Sequence, residues 1–251
     1  MRISAVIITK NEEKNIERCI NSLLNVVDEI VIVDSFSEDK TKEICSKFDN
    51  IKFESKEWLG FAEQKNYANS LASNNMILSI DADEELSKEL QNSILEIKNS
   101  VEKDDCVYKF RRLNNYCGKW IRHGIWCPDM KIRIFNREKA SWKDTKVHEI
   151  LNFGNAKVIY LKGQLLHYPY STIEEHLEHT ERYSTLYAQY SYECGKKRSY
   201  ISHLLSIIWI FLFGFILKGG FLDGKHGFTI YKITVLDKYL RYTKLKQLYR
   251  D

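Results

Sequence analysis

Residues 76–86, MILSIDADEEL, decide the fold class. An apolar run typical of a buried strand ends in four acidic residues, Asp81, Asp83, Glu84 and Glu85. Two like charges about 4 Å apart repel each other by roughly 4 kcal/mol at an effective dielectric constant near 20. The stretch therefore needs a nearby positive charge, either the N-terminus of a helix or a bound cation.

Each explanation fits part of the stretch. Asp83 can cap a helix through residues 84–98, with Glu84 and Glu85 in its first turn, where the helix dipole favours anions. Asp81 belongs to the strand and faces the same way as Asp83, because strand side chains alternate with a period of two. Neighbouring carboxylates are hard oxygen ligands, which Mg²⁺ and Mn²⁺ prefer, and Mg²⁺ often shares its coordination with substrate phosphates. The Asp-Ala-Asp sequence alone leaves the choice open.

The first hundred residues alternate between predicted strands and helices. Apolar runs predict strands at 3–9, 29–34, 51–55 and 76–81. Helical spacing predicts helices at 11–27, 37–48 and 61–72, with Asn11 capping the first and Ser37 beginning the second. This alternation predicts a mostly parallel sheet with ligands at the carboxyl ends of its strands, where Thr9, Asp34 and Asp81 all lie.

The character of the chain changes twice after residue 100. Residues 106–113, 130–136 and 156–163 alternate like antiparallel strands. After Pro169 the chain becomes helical again, so a boundary is expected near residues 165–170. Residues 204–217 form an apolar run that is shorter than the roughly 20 residues of a membrane-spanning helix. A buried core helix and an interfacial helix both fit this run, and the flanking basic residues favour the interfacial one.

Charge and cysteine content limit the classes of partner and compartment. The chain carries a net charge of +4, of which residues 196–251 carry +8 and the preceding part −4. This basic tail is expected to meet an anionic membrane surface, and no nucleic-acid partner is expected. Six cysteines without a C-x-x-C pair, and an N-terminal apolar run closed by Lys10, predict a reduced cytoplasmic protein without a zinc site.

With these residues in place, the chain resembles the family 2 glycosyltransferases. The front motifs that carry the resemblance are VIITKNEEKNIERCINSLL (6–24), DEIVIVDSFSEDKT (28–41), FAEQKNYA (61–68) and ILSIDADEEL (77–86). Later segments resemble the branch of lipopolysaccharide-core glucosyltransferases, namely CPDMKIRIFN (127–136), KVHEIL (146–151) and KGGFLDGKHGF (218–228). The resemblance therefore covers nearly the whole chain.

The resemblance implies a GT-A nucleotide-diphospho-sugar transferase fold, an α/β architecture whose mostly parallel sheet has a Rossmann-like front half. It assigns residues 1–165 to the catalytic domain, with a nucleotide-sugar-binding half at 1–100 and an acceptor-side half at 101–165. Residues 166–251 would form a helical, basic, membrane-associating extension.

The resemblance also assigns contacts to the donor. Asp34 would read the uracil, with a turn or capping role as the alternative. Thr9 and Glu12 would bound the loop that lines the nucleoside. Lys65 would face the donor, and Asp81 would contact its ribose or sugar.

The metal and catalytic residues come from two regions of the chain. Asp83 would bind Mg²⁺ or Mn²⁺ at the donor diphosphate, and His148 could ligate the metal or touch a phosphate. Inversion at the anomeric carbon needs a general base on the acceptor side, for which Glu149 ranks first, then Asp129, then Asp144. A surface salt bridge is the alternative role for Glu149.

The expected activity is metal-dependent, inverting transfer of a hexose, glucose from UDP-glucose, onto a lipid-linked glycan such as the lipopolysaccharide core. The enzyme would be attached peripherally to the inner face of the cytoplasmic membrane. A polyprenyl-phosphate sugar transferase and a non-catalytic membrane-bound scaffold are the alternatives. The sequence leaves the sugar, the acceptor and the oligomeric state open.

Overall fold

A computed structural model describes residues 1–49, 51–100, 105–144, 149–197 and 199–250, without the side chain of Asp144. The chain forms two compact units. The first contains Met1–Arg112 and Met130–His167, and the second contains Leu113–Asp129 and Tyr168–Asp251.

The first unit is built on a mixed sheet. The strands of the sheet are β1 (Ile3–Thr9), β2 (Glu29–Asp34), β3 (Ile51–Ser55), β4 (Met76–Asp81), β5 (Glu84–Leu86), β6 (Cys106–Tyr116), β8 (Asp129–Asn136) and β11 (Lys157–Tyr170). Their order across the sheet is β3-β2-β1-β4-β8-β6-β11-β5, and the last residues of β6 and β11 and the first residue of β8 belong to the second unit. Strands β3, β2, β1 and β4 run parallel, whereas β8 is antiparallel to β4. The four predicted parallel strands are thereby confirmed with the bounds expected from the sequence.

The register of the parallel strands brings the predicted site residues to one edge. Thr9 pairs with Asp34 across β1 and β2, and Ile8 pairs with Asp81 across β1 and β4. The carboxyl ends of these strands therefore lie together, as expected for ligand binding in a parallel sheet.

Both faces of the sheet are covered by apolar side chains. On one face, Ile3, Ala5 and Ile7 of β1 belong to the buried cluster of helix α1 (Ile16–Leu23). On the other face, Val6 packs in a cluster with helix α3 (Phe61–Leu71). Each fully buried aliphatic side chain stabilises the fold by roughly 1.5–3 kcal/mol, so this sandwiched strand is a rigid base for the residues at its end.

Two predicted helices are shorter than their sequence patterns. Helix α1 starts at Ile16, and helix α2 is confined to Thr41–Cys45, so Asn11 and Ser37 do not begin helices. Asn11 instead has φ +56°, and its backbone N–H donates to Ser37 Oγ over 2.8 Å. Polar side chains of the two loops satisfy backbone groups outside the helices, which removes the reason for either helix to extend.

The predicted helix through residues 84–98 is wrong in its first turn. Residues 84–86 form strand β5, antiparallel to β11 with Leu86 opposite Leu165. Helix α4 begins only at Lys88, where the Ser87 hydroxyl accepts the Leu90 N–H. Burial of Glu84 and Leu86 on the same side of this short strand explains why it forms.

The second unit is mainly helical. It contains strand β7 (Lys119–Ile121), helices α5 (Ile173–Glu193), α6 (Tyr200–Trp209) and α7 (Gly224–Leu248), and a π-helical segment, Ile210–Leu217, that continues α6. Tyr116, Ile121 and Cys127 share a buried cluster with Ile230 of α7. Residues 113–129, expected in the acceptor-side half, therefore pack with the C-terminal helices.

The apolar run lies on the surface of this unit. Tyr200–Leu217 is 18 residues long with a mean hydropathy of 2.1, and 11% of it is buried. By length and composition alone it could cross a membrane. Its exposure rules out the interpretation of residues 204–217 as a buried core helix.

The turn between the π-helical segment and α7 depends on glycine. A Cβ on Gly227 would lie 2.0 Å from the carbonyl oxygen of Gly220. Asp223, which is 4% exposed, accepts the backbone N–H groups of Arg122 and His123. The close approach of Gly227 to Gly220 explains why the second and fourth glycines of KGGFLDGKHG carry no side chain.

Candidate active site

The centre of the site is a lysine shared by two carboxylates. Lys65 Nζ on α3 lies 3.0 Å from Asp81 Oδ1 and 2.9 Å from Glu149 Oε1. The Lys65 side chain is only 3% exposed, and its ammonium group lies 4.8 Å from the centre of the Trp142 ring. A buried cation of this kind is held by its two counter-ions and the aromatic face.

A hairpin brings Glu149 to this lysine. Strands β9 (Ser141–Asp144) and β10 (Glu149–Asn152) pair antiparallel. Asn66 of α3 fixes the hairpin, since its amide donates to the Trp142 carbonyl (2.7 Å) and its carbonyl accepts the Trp142 N–H (2.9 Å). Asn66 directly follows Lys65, so the contact that anchors the hairpin also sets the distance to Glu149.

Arg133 and Glu84 form the floor of the cluster. The Arg133 guanidinium contacts Asp81 Oδ2 at 2.5 Å and Glu84 Oε1 at 2.8 Å, and Arg112 reaches the same Glu84 oxygen at 3.1 Å. The other Glu84 oxygen accepts the Asp81 N–H at 3.0 Å. Burial acts to raise the pKa of Asp81, but Arg133 and Lys65 outweigh it and hold that pKa far below its usual range.

The remaining two acids of the stretch have separate partners. Asp83 Oδ2 lies 3.2 Å from His167 Nε2 of β11, and Glu85 lies 3.8 Å from Arg18 of α1. Asp81, Glu84 and Glu85 thus each have a lysine or arginine beside them, whereas Asp83 has a histidine, which is positively charged only when protonated.

Glu12 lies in the electrostatic field of the same stretch. Burial raises its pKa to about 7, the charges of Asp83, Asp39 and Asp81 add to the increase, and a hydrogen bond from Asn15 opposes it. Lys65, Arg133 and Arg112 balance the carboxylates of Asp81, Glu84 and Glu149. The negative charge that these bases leave uncompensated therefore centres on Glu12 and Asp83.

A divalent cation at this site would have to be held by these uncompensated carboxylates. Among the residues that the structure describes, no group of three or more His, Cys, Asp or Glu side chains could hold a metal ion alone. Asp83 offers a partly exposed carboxylate, whereas Asp81 is occupied by Lys65 and Arg133. One or two carboxylates completed by substrate phosphates suit Mg²⁺, so the residues fit a cation that arrives with a diphosphate.

The loops after β1 and β2 hold Asp34 in a turn. Asp34 is 2% exposed, and its carboxylate accepts both the N–H and the hydroxyl of Ser37. Asp34 therefore has the turn role that the sequence offers as the alternative, and its contact with uracil stays a prediction. Thr9 is also buried, and its hydroxyl has no hydrogen-bond partner within the described part of the chain.

Of the predicted catalytic residues whose side chains the structure describes, only one lies in the cluster. Glu149 is in the cluster, and Lys65 keeps its pKa below the usual range although burial acts in the opposite direction. Asp129, the first residue of β8, belongs to the second unit. The side chain of Asp144 and all of His148 lie outside the described residues, so their roles stay predictions.

Sequence reasoning missed four members of the cluster: Glu84, Arg112, Arg133 and His167. Arg133 had a detectable signal, because a charged residue between Ile132 and Ile134 in a central strand must find a buried partner. Glu84 was hidden by its assignment to a helix. His167 gives no signal, since its neighbour Asp83 is remote in sequence.

The chain is similar in sequence to known glycosyltransferases. Residues 4–156 match the family described as Glycosyl transferase family 2. An uncharacterized glycosyltransferase of Rickettsia bellii is 37% identical over 257 residues, which cover 98% of this chain and 87% of the relative. The lipopolysaccharide core biosynthesis glycosyltransferase LpsC of Rhizobium meliloti is 31% identical, covering 90% of this chain and 85% of the relative.

A solved structure shows the same fold. S. aureus TarS 1-349 in complex with UDP matches with a TM-score of 0.51 at 15% identity, covering 100% of this chain and 91% of that chain. The likeness confirms the predicted α/β GT-A fold with additional C-terminal helices.

Proposed function

The chain belongs to glycosyl transferase family 2, and we propose that it transfers glucose from UDP-glucose, with inversion, to a lipid-linked glycan such as the lipopolysaccharide core. The observation that carries this proposal is the cluster of Lys65, Asp81 and Glu149 at the carboxyl edge of the parallel strands. Two facts support the choice of donor and acceptor. The solved TarS structure contains UDP, and the relative LpsC is described as a lipopolysaccharide core enzyme.

Donor binding is assigned to the edge formed by β1, β2 and β4. Asp81 is ionised and fixed by Lys65 and Arg133, so it can accept hydrogen bonds from ribose or sugar hydroxyls without reorganising. Lys65 supplies positive charge beside the diphosphate. Thr9, Glu12 and Asp34 would surround the nucleoside, with the buried Thr9 hydroxyl available to a ligand.

Asp83 is the residue that would hold Mg²⁺ or Mn²⁺, with His148 as the second predicted contact. When bound, the cation supplies positive charge to the departing nucleoside diphosphate. Asp83 is suited to this role because its partner in the fold is a histidine, which is charged only when protonated, rather than a lysine or arginine.

Glu149 is the proposed general base, ahead of Asp129 and Asp144. A base must be ionised before it accepts the proton of an acceptor hydroxyl, and Lys65 keeps Glu149 in that form. The same contact lowers the basicity of Glu149. A donor diphosphate that draws Lys65 toward itself would therefore raise the basicity of Glu149 at the moment when the donor is in place.

The membrane is the proposed location of the acceptor. The exposed helix Tyr200–Leu217 and the basic residues around it suit attachment to the inner face of the cytoplasmic membrane. The same helix favours a second candidate acceptor, a polyprenyl phosphate, because transferases of that kind also act at a bilayer. Radiolabelled transfer to purified core lipopolysaccharide against polyprenyl phosphate separates the two.

The donor proposal is tested by calorimetry. UDP-glucose and ADP-heptose are titrated into wild type and Asp83→Ala, each with Mn²⁺ or with EDTA. We expect UDP-glucose to bind with Mn²⁺, to lose affinity in EDTA, and to lose the metal effect in Asp83→Ala. Absence of uridine-nucleotide binding under all conditions would refute the donor assignment and favour the scaffold alternative.

A further inference from the structure

The second unit carries two depressions along helix α7, one beside the residues before α6 and the other beside α6 and the π-helical segment. The first, called here the basic pocket, has a volume of about 280 Å³ and is lined by Lys197, Tyr242, Leu245, Lys246 and Tyr249. The second, called the apolar groove, has a volume of about 510 Å³ and is lined by Ser202, Leu205, Ser206, Ile208, Trp209, Ile210, Leu212 and Lys238.

The basic pocket is suited to a phosphate group. Lys197 Nζ lies 5.6 Å from the centre of the Tyr249 ring, and Lys246 Nζ lies 5.9 Å from that of Tyr242. The rings hold the two ammonium groups at the pocket, and no acidic side chain is among its described lining residues. His203, which is 3% exposed, stacks on Tyr242 at 4.5 Å and fixes that ring.

The apolar groove is suited to a hydrocarbon chain. Four of its five apolar lining residues are strongly exposed, namely Leu205 at 60%, Ile208 at 53%, Trp209 at 61% and Leu212 at 46%. Exposed apolar side chains on one helix face form a surface that is unfavourable in water. At a rise of about 1.5 Å per residue, the span from Ser202 to Leu212 is roughly 15 Å, about half of the hydrocarbon thickness of a bilayer.

The two depressions follow each other along α7. Lys238, Tyr242 and Lys246 are spaced by four residues and so share one face of α7. Along α6, the basic pocket lies at Lys197, before the helix, and the apolar groove follows from Ser202 onward. Positive charge followed by an apolar surface is the pattern that complements one lipid with a phosphate head group.

We propose that this face of α6 and α7 binds one phosphate-bearing lipid, with its phosphate in the basic pocket and a hydrocarbon chain in the apolar groove. The inference rests on the proposed function, since the bound lipid would be a phospholipid of the membrane that holds the proposed lipid-linked acceptor. A free phosphate would use only the basic pocket, and an uncharged lipid only the groove.

The first test counts lipids on the full chain by native mass spectrometry, with phosphatidic acid, the matching diacylglycerol and inorganic phosphate as probes. We expect one phosphatidic acid per chain, bound more tightly than either of the other probes. Since a lysine near lipid phosphate contributes about 1 kcal/mol, Lys197→Gln with Lys246→Gln should weaken binding by roughly 25-fold. The control, Lys225→Gln with Lys232→Gln, removes the same charge from exposed positions of α7 and should leave binding unchanged.

The second test locates the hydrocarbon chain. Phosphatidic acid brominated in its acyl chain should quench the fluorescence of Trp209, and Trp209→Phe should remove most of the quenching. Equal binding of phosphatidic acid and diacylglycerol, equal losses in the two double variants, or undiminished quenching in Trp209→Phe would each overturn the proposal. UDP-glucose titration of the same preparations keeps the proposals separate: a chain that binds donor but no lipid refutes only the lipid site.

Discussion

Lys65 Nζ lies 2.9 Å from Oε1 of Glu149 and thereby joins helix α3 to the β9–β10 hairpin. Because the same ammonium group contacts Asp81, one buried charge links the residue proposed to hold the donor to the residue proposed to activate the acceptor. A change at Lys65 should therefore affect both folding and the ionisation of its partners.

Replacing Lys65 by Met should lower the free energy of unfolding by about 3 kcal/mol, because Asp81 and Glu149 then lose a cation in a largely buried place. Urea denaturation measures this change. The control Lys65→Arg keeps the charge and should cost less. A loss below about 1 kcal/mol for Lys65→Met, the value typical of a surface ion pair, would contradict the assignment.

The neighbouring acids Glu84 and Glu85 should respond very differently to loss of charge. Glu84→Gln leaves Arg112 and Arg133 with one less carboxylate in a buried site and should destabilise the fold by about 3 kcal/mol. Glu85→Gln alters a longer, partly exposed pair and should cost less than about 1 kcal/mol. Thermal or urea unfolding of both variants checks the contrast.

A double-mutant cycle identifies the source of the Glu84 effect. Arg112→Met should cost less in the Glu84→Gln background than in wild type, with a coupling of roughly 1–2 kcal/mol. Additive losses would mean that the two side chains act independently, against the 3.1 Å contact between them.

The raised pKa of Glu12 makes stability depend on pH. Its pKa of about 7 in the folded protein exceeds its ordinary value of 4.5, so the folded state binds this proton more tightly. The contribution of protonated Glu12 to the free energy of unfolding is fully present below pH 4.5 and is lost as the pH rises through 7. The total loss is roughly 3 kcal/mol. Glu12→Gln should remove this loss.

The measurement is the melting temperature of wild type and Glu12→Gln from pH 4.5 to 8. The difference in favour of the variant should grow across this window and level off above pH 7. Parallel curves would show that Glu12 titrates normally and does not share the field of Asp83 and Asp81.

Gly227→Ala should destabilise the second unit by about 3 kcal/mol, because the added methyl would lie 2.0 Å from the Gly220 carbonyl oxygen, a backbone atom that cannot rotate away. Lys232→Ala, at an exposed position of the same helix, is the control and should change stability little. Urea denaturation followed by circular dichroism compares them. Equal stability of the two variants would show that the turn relaxes without cost.

The sequence predicts those parts of the fold that depend on local pattern. The bounds of β1, β2 and β4 follow from apolar runs that are buried on both faces, and the common edge of Thr9, Asp34 and Asp81 follows from parallel pairing. The sequence predicts both Lys65 and Glu149 as site residues, but it does not predict their direct contact, since that contact depends on how Asn66 holds the β9–β10 hairpin.

Elements decided by distant contacts were missed. Strand β5 has the composition of a helix start and becomes a strand because β11 offers it an open edge. Residues 113–121 complete β6 and add β7 to the sheet, but the local pattern does not predict that Tyr116 and Ile121 are buried with Ile230 of α7. In both cases tertiary packing outweighs local preference, as expected for short segments.

The pairing of β5 with β11 also has a consequence for the order of folding. The Asp-Ala-Asp turn leads into strand β5, whose partner in the sheet is β11, with Leu86 opposite Leu165. The ribosome synthesises β11 much later than β5. Until β8 emerges from the ribosome, Glu84 lacks its partner Arg133, and the edge of β4 that pairs with β8 in the folded protein is open. Until β11 emerges, β5 has no partner strand. Contacts so remote in sequence close slowly, so a nascent chain released before β11 should be an aggregation-prone target for chaperones rather than a donor-binding domain.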